Sequence, residues 1–176
     1  NLWIDDNASA LIQYGHISDW NVSLVTDMSQ IFSNKTTFND DISTWDVSNV
    51  TSMYYMFRSA YVFNQDLSNW DVSNVTNMKE MFRHASSFND DISSWDVSSA
   101  TNIEYMFYDA FVFNQDLSNW DVSNVTHMNN VFYNAVEFNG DISTWDVSNV
   151  TRTRQMFWNA TSFNGDLSEW DVSKVN

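Results

Sequence analysis

A period of 25 residues constrains this chain more than any other feature of its sequence. Tryptophan recurs at this spacing without a slip, at Trp20, Trp45, Trp70, Trp95, Trp120, Trp145 and Trp170. Two phenylalanine columns, Phe32 to Phe157 and Phe38 to Phe163, keep the same spacing. A fixed period with no insertions predicts that each unit stacks on the previous one in the same geometry. The expected product is a solenoid with one continuous core.

Within one unit the apolar pattern changes halfway. Five residues of the second unit follow helical i, i+3, i+4 spacing, namely Val50, Met53, Met56, Phe57 and Ala60. We expect a short helix here, with Ser48 or Thr51 as its N-cap. Residues 41–47 read as a very short strand followed by a turn. A strand and a helix every 20 to 29 residues predict an α/β solenoid, a leucine-rich-repeat-like right-handed array of short parallel strands and short helices with about 6.5 coils.

The two ends of the chain differ from the repeat. Residues 1–14 do not fit it, and we predict an N-terminal helical cap in which Asp6 caps a helix over residues 7–14 that Gly15 ends. Residues 15–176 are the predicted tandem-repeat solenoid, whose last coil is incomplete. We therefore expect a segment of a longer array, with any targeting or anchoring segment outside it.

Charge and composition limit the classes of partner. The net charge of −16 argues against nucleic acid and against anionic membrane surfaces. There is no cysteine, so a disulfide framework and thiolate chemistry are excluded. No apolar stretch reaches transmembrane length, and we expect no direct membrane insertion by this segment.

The repeat resembles a known family. The run Trp-Asp-Val-Ser-Asn-Val-Thr-x-Met-x-x-Met-Phe, from Trp70 to Phe82, is similar to the repeat of BspA-like leucine-rich-repeat surface proteins, also called the mycoplasma lipoprotein repeat. The entry segment from Tyr14 to Phe32 resembles the first unit of such arrays, and the likeness covers about 160 residues. It implies an extracellular or cell-surface protein that serves adhesion or protein recognition, with no catalytic residues. Thr153 and Ala100 depart from the family's Met and Val.

Two aspartate columns hold twelve of the 23 acidic residues. Carboxylates stacked at strand spacing repel one another, so something must offset the repulsion. Hydrogen bonds to backbone N–H groups at the turns are the simpler explanation. Calcium between coils is the alternative, although the glycines of familiar calcium-binding repeats are absent. The candidate calcium ligands are Asp41, Asp46, Asp66, Asp71, Asp91, Asp96, Asp116, Asp121, Asp141, Asp146, Asp166 and Asp171.

An asparagine column from Asn39 to Asn164 is predicted to be an asparagine ladder. Its side-chain amides are expected to bridge backbone groups of neighbouring coils that no ordinary sheet pair satisfies. The column thus has a structural interpretation.

Partner binding is expected where the repeat varies. On a helix with Met53, Met56, Phe57 and Ala60 inward, positions 54 and 58 are neighbours on one exposed stripe. This stripe is rich in aromatic and cationic residues, types that are frequent at binding hot spots. The candidate partner-binding residues are Tyr54, Arg58, Lys79, Arg83, Glu104, Tyr108, Tyr133, Arg154 and Trp158.

These patterns favour a non-enzymatic adhesion or protein-recognition array that binds a protein or a surface glycan. An active site gathers unlike residues, whereas His16, His84 and His127 occupy three different repeat positions with no evident common partner. Two alternatives stay open. One is a structural spacer or stalk that displays another domain, and the other is a calcium-stabilised repeat surface that binds glycan or ice.

Overall fold

The computed structural model describes residues 2–176, so Asn1, the first residue of the predicted cap, lies outside the described residues. Two helices come first, α1 (Leu2–Asp5) and α2 (Asn7–Tyr14). The carboxylate of Asp6 accepts the backbone N–H of Ser9 and caps α2. At the other end Gly15, with φ of +73°, donates its N–H to the carbonyl of Leu11. The predicted helix and both of its caps are thus confirmed.

The two helices lie against the first repeat unit. Trp3 is buried and donates its indole N–H to Oδ2 of Asp40 over 2.9 Å. Its ring also packs edge-on against Trp20, with 5.7 Å between centroids. Lys35 forms an ion pair of 2.9 Å with Asp5 on the outer side. After α2, the chain makes a single 3-10 turn over Ile17–Asp19 and enters the repeats.

Each repeat unit is built from successive turns. In the second unit the N–H groups that donate to a carbonyl three residues back belong to Trp45, Val50, Met56, Arg58, Ala60 and Phe63. Between residues 20 and 176 the structure contains neither an α-helix nor a strand of several residues. The units contact each other through parallel single-residue bridges instead.

The short helix predicted within each unit is wrong. Residues 54–59 form overlapping turns, and Tyr55 and Ser59 have positive φ of 61° and 58°. Met53, Met56, Phe57 and Ala60 are nevertheless fully buried, as the helical pattern required. The turns place every third or fourth side chain inward just as a helix does, so the apolar spacing could not distinguish the two.

The short strand predicted within residues 41–47 is also wrong, because none of these residues forms a strand, whereas the turn predicted there is present at Ser43 and Thr44. The extended contact between units falls later in the unit, at Ser52. Five parallel bridges form one column there, through Asp27, Ser52, Asn77, Asn102, His127 and Arg152.

Alternate residues of the turns direct their N–H groups to the next unit. Tyr55 donates to the carbonyl of Lys79 over 3.1 Å, and Ser59 donates to that of Arg83 over 2.8 Å. A left-handed conformation costs roughly 1–2 kcal/mol for an L-residue without glycine's freedom. An inter-unit hydrogen bond offsets about 1 kcal/mol of that. The conformation that excludes a helix is therefore the one that joins the units.

Aromatic columns fill the core between units. The Phe57 ring stacks on Phe82 with 5.5 Å between centroids, and Phe63 stacks on Phe88 with 6.2 Å. Within a unit the two columns meet, since Phe57 and Phe63 lie 4.0 Å apart. These rings are fully buried, so apolar burial acts along the whole length of the stack.

The asparagine ladder is confirmed. The backbone N–H of Asn64 donates to Oδ1 of Asn39 over 2.8 Å. The same bond, at the same length, repeats along the column from Asn89, Asn114, Asn139 and Asn164 to the asparagine 25 residues earlier. The side chains bridge neighbouring units as predicted, here through their carbonyl oxygens.

Candidate binding surface

The two aspartate columns are turn-forming residues. In each of the twelve, Oδ1 accepts the backbone N–H of the serine two residues later, over 2.8 to 3.1 Å. These bonds favour the ionised carboxylate, and the pKa values of Asp41, Asp46 and Asp66 lie below their usual range because of the hydrogen bonds from Ser43, Ser48 and Ser68. Each carboxylate thus satisfies a turn of its own unit.

The geometry brings no candidate metal ligands together. Within residues 2–176 there is no group of three Asp, Glu or His side chains placed to hold a metal ion. The calcium prediction for the aspartate columns therefore has no assembled ligand set to support it.

The candidate partner-binding residues lie on the face formed by the overlapping turns. We call residues 54–59, 79–84, 104–109, 129–134 and 154–159 the turn band. It contains four of the seven basic residues of the chain, Arg58, Lys79, Arg83 and Arg154. Their burial is graded, because Glu104 is buried, Arg154 and Trp158 are exposed, and the others are half-buried: Tyr54, Arg58, Lys79, Arg83, Tyr108 and Tyr133.

Two buried glutamates organise the polar part of the band. Oε2 of Glu80 accepts a hydrogen bond from Arg83 over 2.8 Å and lies 3.7 Å from Nε of Arg58. Its Oε1 accepts the hydroxyl of Tyr55 over 2.7 Å. Burial, together with the hydroxyl of Tyr54 and this carboxylate, raises the pKa of Tyr55 far above its ordinary value. The negative charge of Glu80 is thus compensated by the two arginines beside it.

Glu104 has a similar set of contacts in the next unit. It pairs with Lys79 over 3.1 Å and accepts a hydrogen bond from the amide of Asn129. Burial alone would raise the pKa of Glu104, but the two hydrogen bonds together with the positive charge of Lys79 outweigh burial and lower it. Both glutamates are therefore structural counter-charges, and neither leaves the band acidic.

An aromatic column runs through the band. Tyr108 stacks on Tyr133 with centroids 4.4 Å apart, and Tyr133 stacks on Trp158 at 4.5 Å. The guanidinium of Arg83 lies over Tyr108 at 4.8 Å and over Tyr105 at 5.5 Å. Trp158 is 51 % exposed at one end of this column.

A histidine–aspartate pair lies beside this column. Nδ1 of His84 is 2.9 Å from Oδ2 of Asp109, whose other oxygen accepts the amide of Asn134. Burial and the charge of Arg83 lower the pKa of His84 in spite of this carboxylate. His16 and His127 lie in other surroundings, against Ser18 and Thr126. The three histidines are not brought together.

An elongated cleft opens along the band. Its volume is ≈ 290 Å³, and it is lined by Arg83, Tyr105, Tyr108, Asn130, Tyr133, Arg154 and Gln155. These residues come from four consecutive units, so the cleft follows the stack axis. It brings together four residues of the predicted set, Arg83, Tyr108, Tyr133 and Arg154. The other five do not line it: Tyr54, Arg58, Lys79, Glu104 and Trp158.

The predicted set lacked five residues of the band that belong to one positive-φ column of the turns: Tyr55, Glu80, Tyr105, Asn130 and Gln155. The other such column did carry a signal. Five of its six members are asparagine, aspartate or histidine, namely Asn34, His84, Asp109, Asn134 and Asn159, with Ser59 as the sixth. These types tolerate the left-handed region and are poor choices for a helix interior.

Comparison with known proteins gives one family. The profile of the family described as "Mycoplasma protein of unknown function, DUF285" matches residues 6–114 and, overlapping them, residues 91–176. No curated protein and no solved structure matches the chain. Over residues 2–176, none of the helices has the length and apolar character needed to cross a bilayer.

Proposed function

From the premise that this chain belongs to the family described as Mycoplasma protein of unknown function, DUF285, we propose that it is a non-enzymatic recognition array of a cell-surface or secreted protein. Its binding surface is the turn band. We further propose that the protein is a BspA-like leucine-rich-repeat adhesin whose stacked units form a solenoid.

The observation that carries the proposal is the concentration of cationic and aromatic side chains on one face of an acidic chain. The band also contains three acidic side chains, Glu80, Glu104 and Asp109. Each is already paired within the protein, with Arg83, Lys79 and His84 respectively. What the band offers to a partner is therefore Arg154, Trp158, the tyrosine hydroxyls and the terminal nitrogens of Arg58 and Arg83 that no carboxylate occupies. Arginine, tyrosine and tryptophan are the residues that most often dominate protein-binding energies.

Outside the turn band, the residues that recur in every unit have structural roles. The aspartate, asparagine, tryptophan and phenylalanine columns make the same contacts in successive units. Side chains whose hydrogen-bonding and packing contacts are already made within the stack are less available to a binding partner. Functional variation is then expected in the turn band, where neighbouring units carry different side chains.

A structural spacer is the second candidate function. The same repeated hydrogen bonds join every unit to the next, and such a stack holds its ends at a fixed separation. In that case the turn band has no partner, and its composition reflects variation on a solvated face.

A bead-adhesion experiment separates the two functions. Beads coated with the protein are applied to cultured epithelial cells and to immobilised extracellular-matrix proteins. The triple variant Arg58→Ala, Arg83→Ala and Trp158→Ala should lose most of the adhesion that the parent protein shows. Circular dichroism melting of each protein checks that the stack is intact.

The matched control changes three exposed residues on another face, Asn69→Ala, Asn119→Ala and Glu169→Ala. This control should adhere like the parent. Equal adhesion by parent and triple variant would instead favour the spacer.

A further inference from the structure

We propose that the elongated cleft of the turn band binds an extended acidic peptide segment, with Arg83 and Arg154 each receiving one carboxylate. This inference rests on the proposed recognition function and names its ligand class. It concerns the cleft lined by Arg83, Tyr105, Tyr108, Tyr133 and Arg154.

The first argument is that Arg83 and Arg154 have hydrogen-bond donors that no carboxylate of the protein occupies. Arg154 is exposed and forms no ion pair with any residue of the described part of the chain. Arg83 pairs with Glu80 through Nη1, and its other terminal nitrogen has no acceptor within residues 2–176. A guanidinium presents five donors in a planar fork that fits a carboxylate. Both arginines thus retain donors for an anionic partner.

The second argument is the shape of the cleft. Arg83 and Arg154 lie in units three steps apart, and stacked backbones are spaced ~4.8 Å, so the cleft extends about 14 Å along the axis. An extended peptide rises ~3.3 Å per residue and spans this length with four to five residues. Two acidic side chains that lie two to four residues apart can then reach both arginines.

The third argument distinguishes a peptide from an acidic sugar. Sugars pack their C–H groups on open faces of aromatic rings. Here the ring faces are covered, because Arg83 lies over Tyr105 and Tyr108, and Tyr108 stacks on Tyr133. The cleft therefore offers ring edges, hydroxyls and guanidinium groups, which suit hydrogen bonds and ion pairs.

Nucleic acid does not fit the same cleft as a ligand. Two arginines neutralise few phosphates, and the net charge of −16 repels a polyanion at long range. At physiological salt the Debye length is about 8 Å, so a short peptide in the cleft senses mainly the nearby charges of the band.

The test uses two labelled peptides and fluorescence anisotropy at constant salt. The probe is Glu-Ser-Glu-Ser-Glu with blocked ends, and the reference is Gln-Ser-Gln-Ser-Gln. The acidic peptide should bind, and the neutral peptide should bind at least about 10-fold more weakly, as expected when a charge-assisted pair is lost. Raising the salt concentration should weaken the binding of the acidic peptide.

The variant Arg154→Ala should weaken binding of the acidic peptide about 10-fold while the melting temperature stays unchanged, because Arg154 has no carboxylate partner to lose. The control Arg152→Ala removes the same charge two residues earlier, outside the cleft, and should bind the peptide like the parent.

Three outcomes would overturn the inference: equal binding of both peptides, equal effects of the two arginine variants, or tighter binding of a hyaluronan tetrasaccharide than of the acidic peptide. Each of these leaves the proposed function open if the beads still adhere through the turn band. Loss of bead adhesion in the control triple variant would instead reject the proposed function itself.

Discussion

Trp95 donates its indole N–H to the carbonyl oxygen of Leu67 over 3.0 Å, reaching back 28 residues into the preceding unit. The same bond recurs from Trp45, Trp70, Trp120, Trp145 and Trp170 to an Ile or Leu carbonyl of the preceding unit. Trp20 differs, since its indole nitrogen is buried without an acceptor in residues 2–176. The tryptophan column therefore joins units by this hydrogen bond, and its rings also stack, with 6.4 Å between the centroids of Trp95 and Trp120.

This difference between Trp20 and Trp95 gives the first prediction. Trp95→Phe keeps an aromatic ring but removes one of the two donors to the carbonyl of Leu67, which still accepts the backbone N–H of Trp70. The lost hydrogen bond should cost about 0.5–1.5 kcal/mol in addition to lost packing. Trp20→Phe loses packing alone and should lower the free energy of unfolding less than Trp95→Phe does. Urea denaturation followed by circular dichroism measures both, and a midpoint for Trp95→Phe as high as that for Trp20→Phe would contradict the role of the hydrogen bond.

The asparagine ladder gives the second prediction. Asn64→Ala removes the acceptor of the backbone N–H of Asn89, which should lower the free energy of unfolding by about 0.5–1.5 kcal/mol. Asn64→Asp keeps an oxygen at the same place and should retain more of the stability. Asn69→Ala, on an exposed turn with no such bond, serves as the control and should unfold like the parent in the same urea titration.

The positive-φ residues give a third prediction, in which a turn and a helix respond oppositely to glycine. Gln30 has φ of 64°, so Gln30→Gly relieves backbone strain and should leave stability unchanged or raise it by up to ~1 kcal/mol. Ser33, in the same run of turns, lacks positive φ, and Ser33→Gly should cost about 0.5–1 kcal/mol. If both variants lost stability equally in thermal melts, the region would be helical and the turn description would fail.

Acid should destabilise the protein through its aspartate turns. Hydrogen bonds from serine lower the pKa values of nine column members: Asp41, Asp46, Asp66, Asp91, Asp96, Asp141, Asp146, Asp166 and Asp171. A depressed carboxyl pKa contributes stability above the unfolded value, near 3.9, and this contribution is lost as the pH falls through the lower folded values. The melting temperature should thus be level above about pH 5 and fall steeply below about pH 4.

A triple variant tests the origin of that acid transition. Asp66→Asn, Asp91→Asn and Asp96→Asn keep a side-chain oxygen for each turn but cannot ionise, so the melting temperature should depend less on pH. Asp90→Asn is the contrasting change, because burial raises the pKa of Asp90 while its Oδ2 accepts the N–H of Leu67. Asp90→Asn should therefore be neutral or stabilising at pH 7, and an unchanged acid slope in the triple variant would argue against the aspartate turns.

The sequence by itself determined the period, the apolar columns and the first helix. Trp45, Phe57, Phe63 and Ala60 are all buried because inward positions recur every 25 residues whatever the backbone does between them. Asp6 and Gly15 marked the ends of α2 correctly, since capping depends on the residues next to the helix end. The asparagine ladder could be predicted in the same way, because an asparagine recurs every 25 residues.

Only the tertiary structure decided the backbone between those columns. Val50, Met53, Met56 and Phe57 match a helix in their spacing, but the N–H of Tyr55 bonds to Lys79 of the next unit and not to a carbonyl four residues back. Whether a backbone group pairs within its own unit or with the next one is fixed by the stacking neighbour, which local sequence does not describe. For the same reason the sequence could name Arg83 and Arg154 as candidates, but only the stack, which aligns residues 71 positions apart, brought them into one cleft.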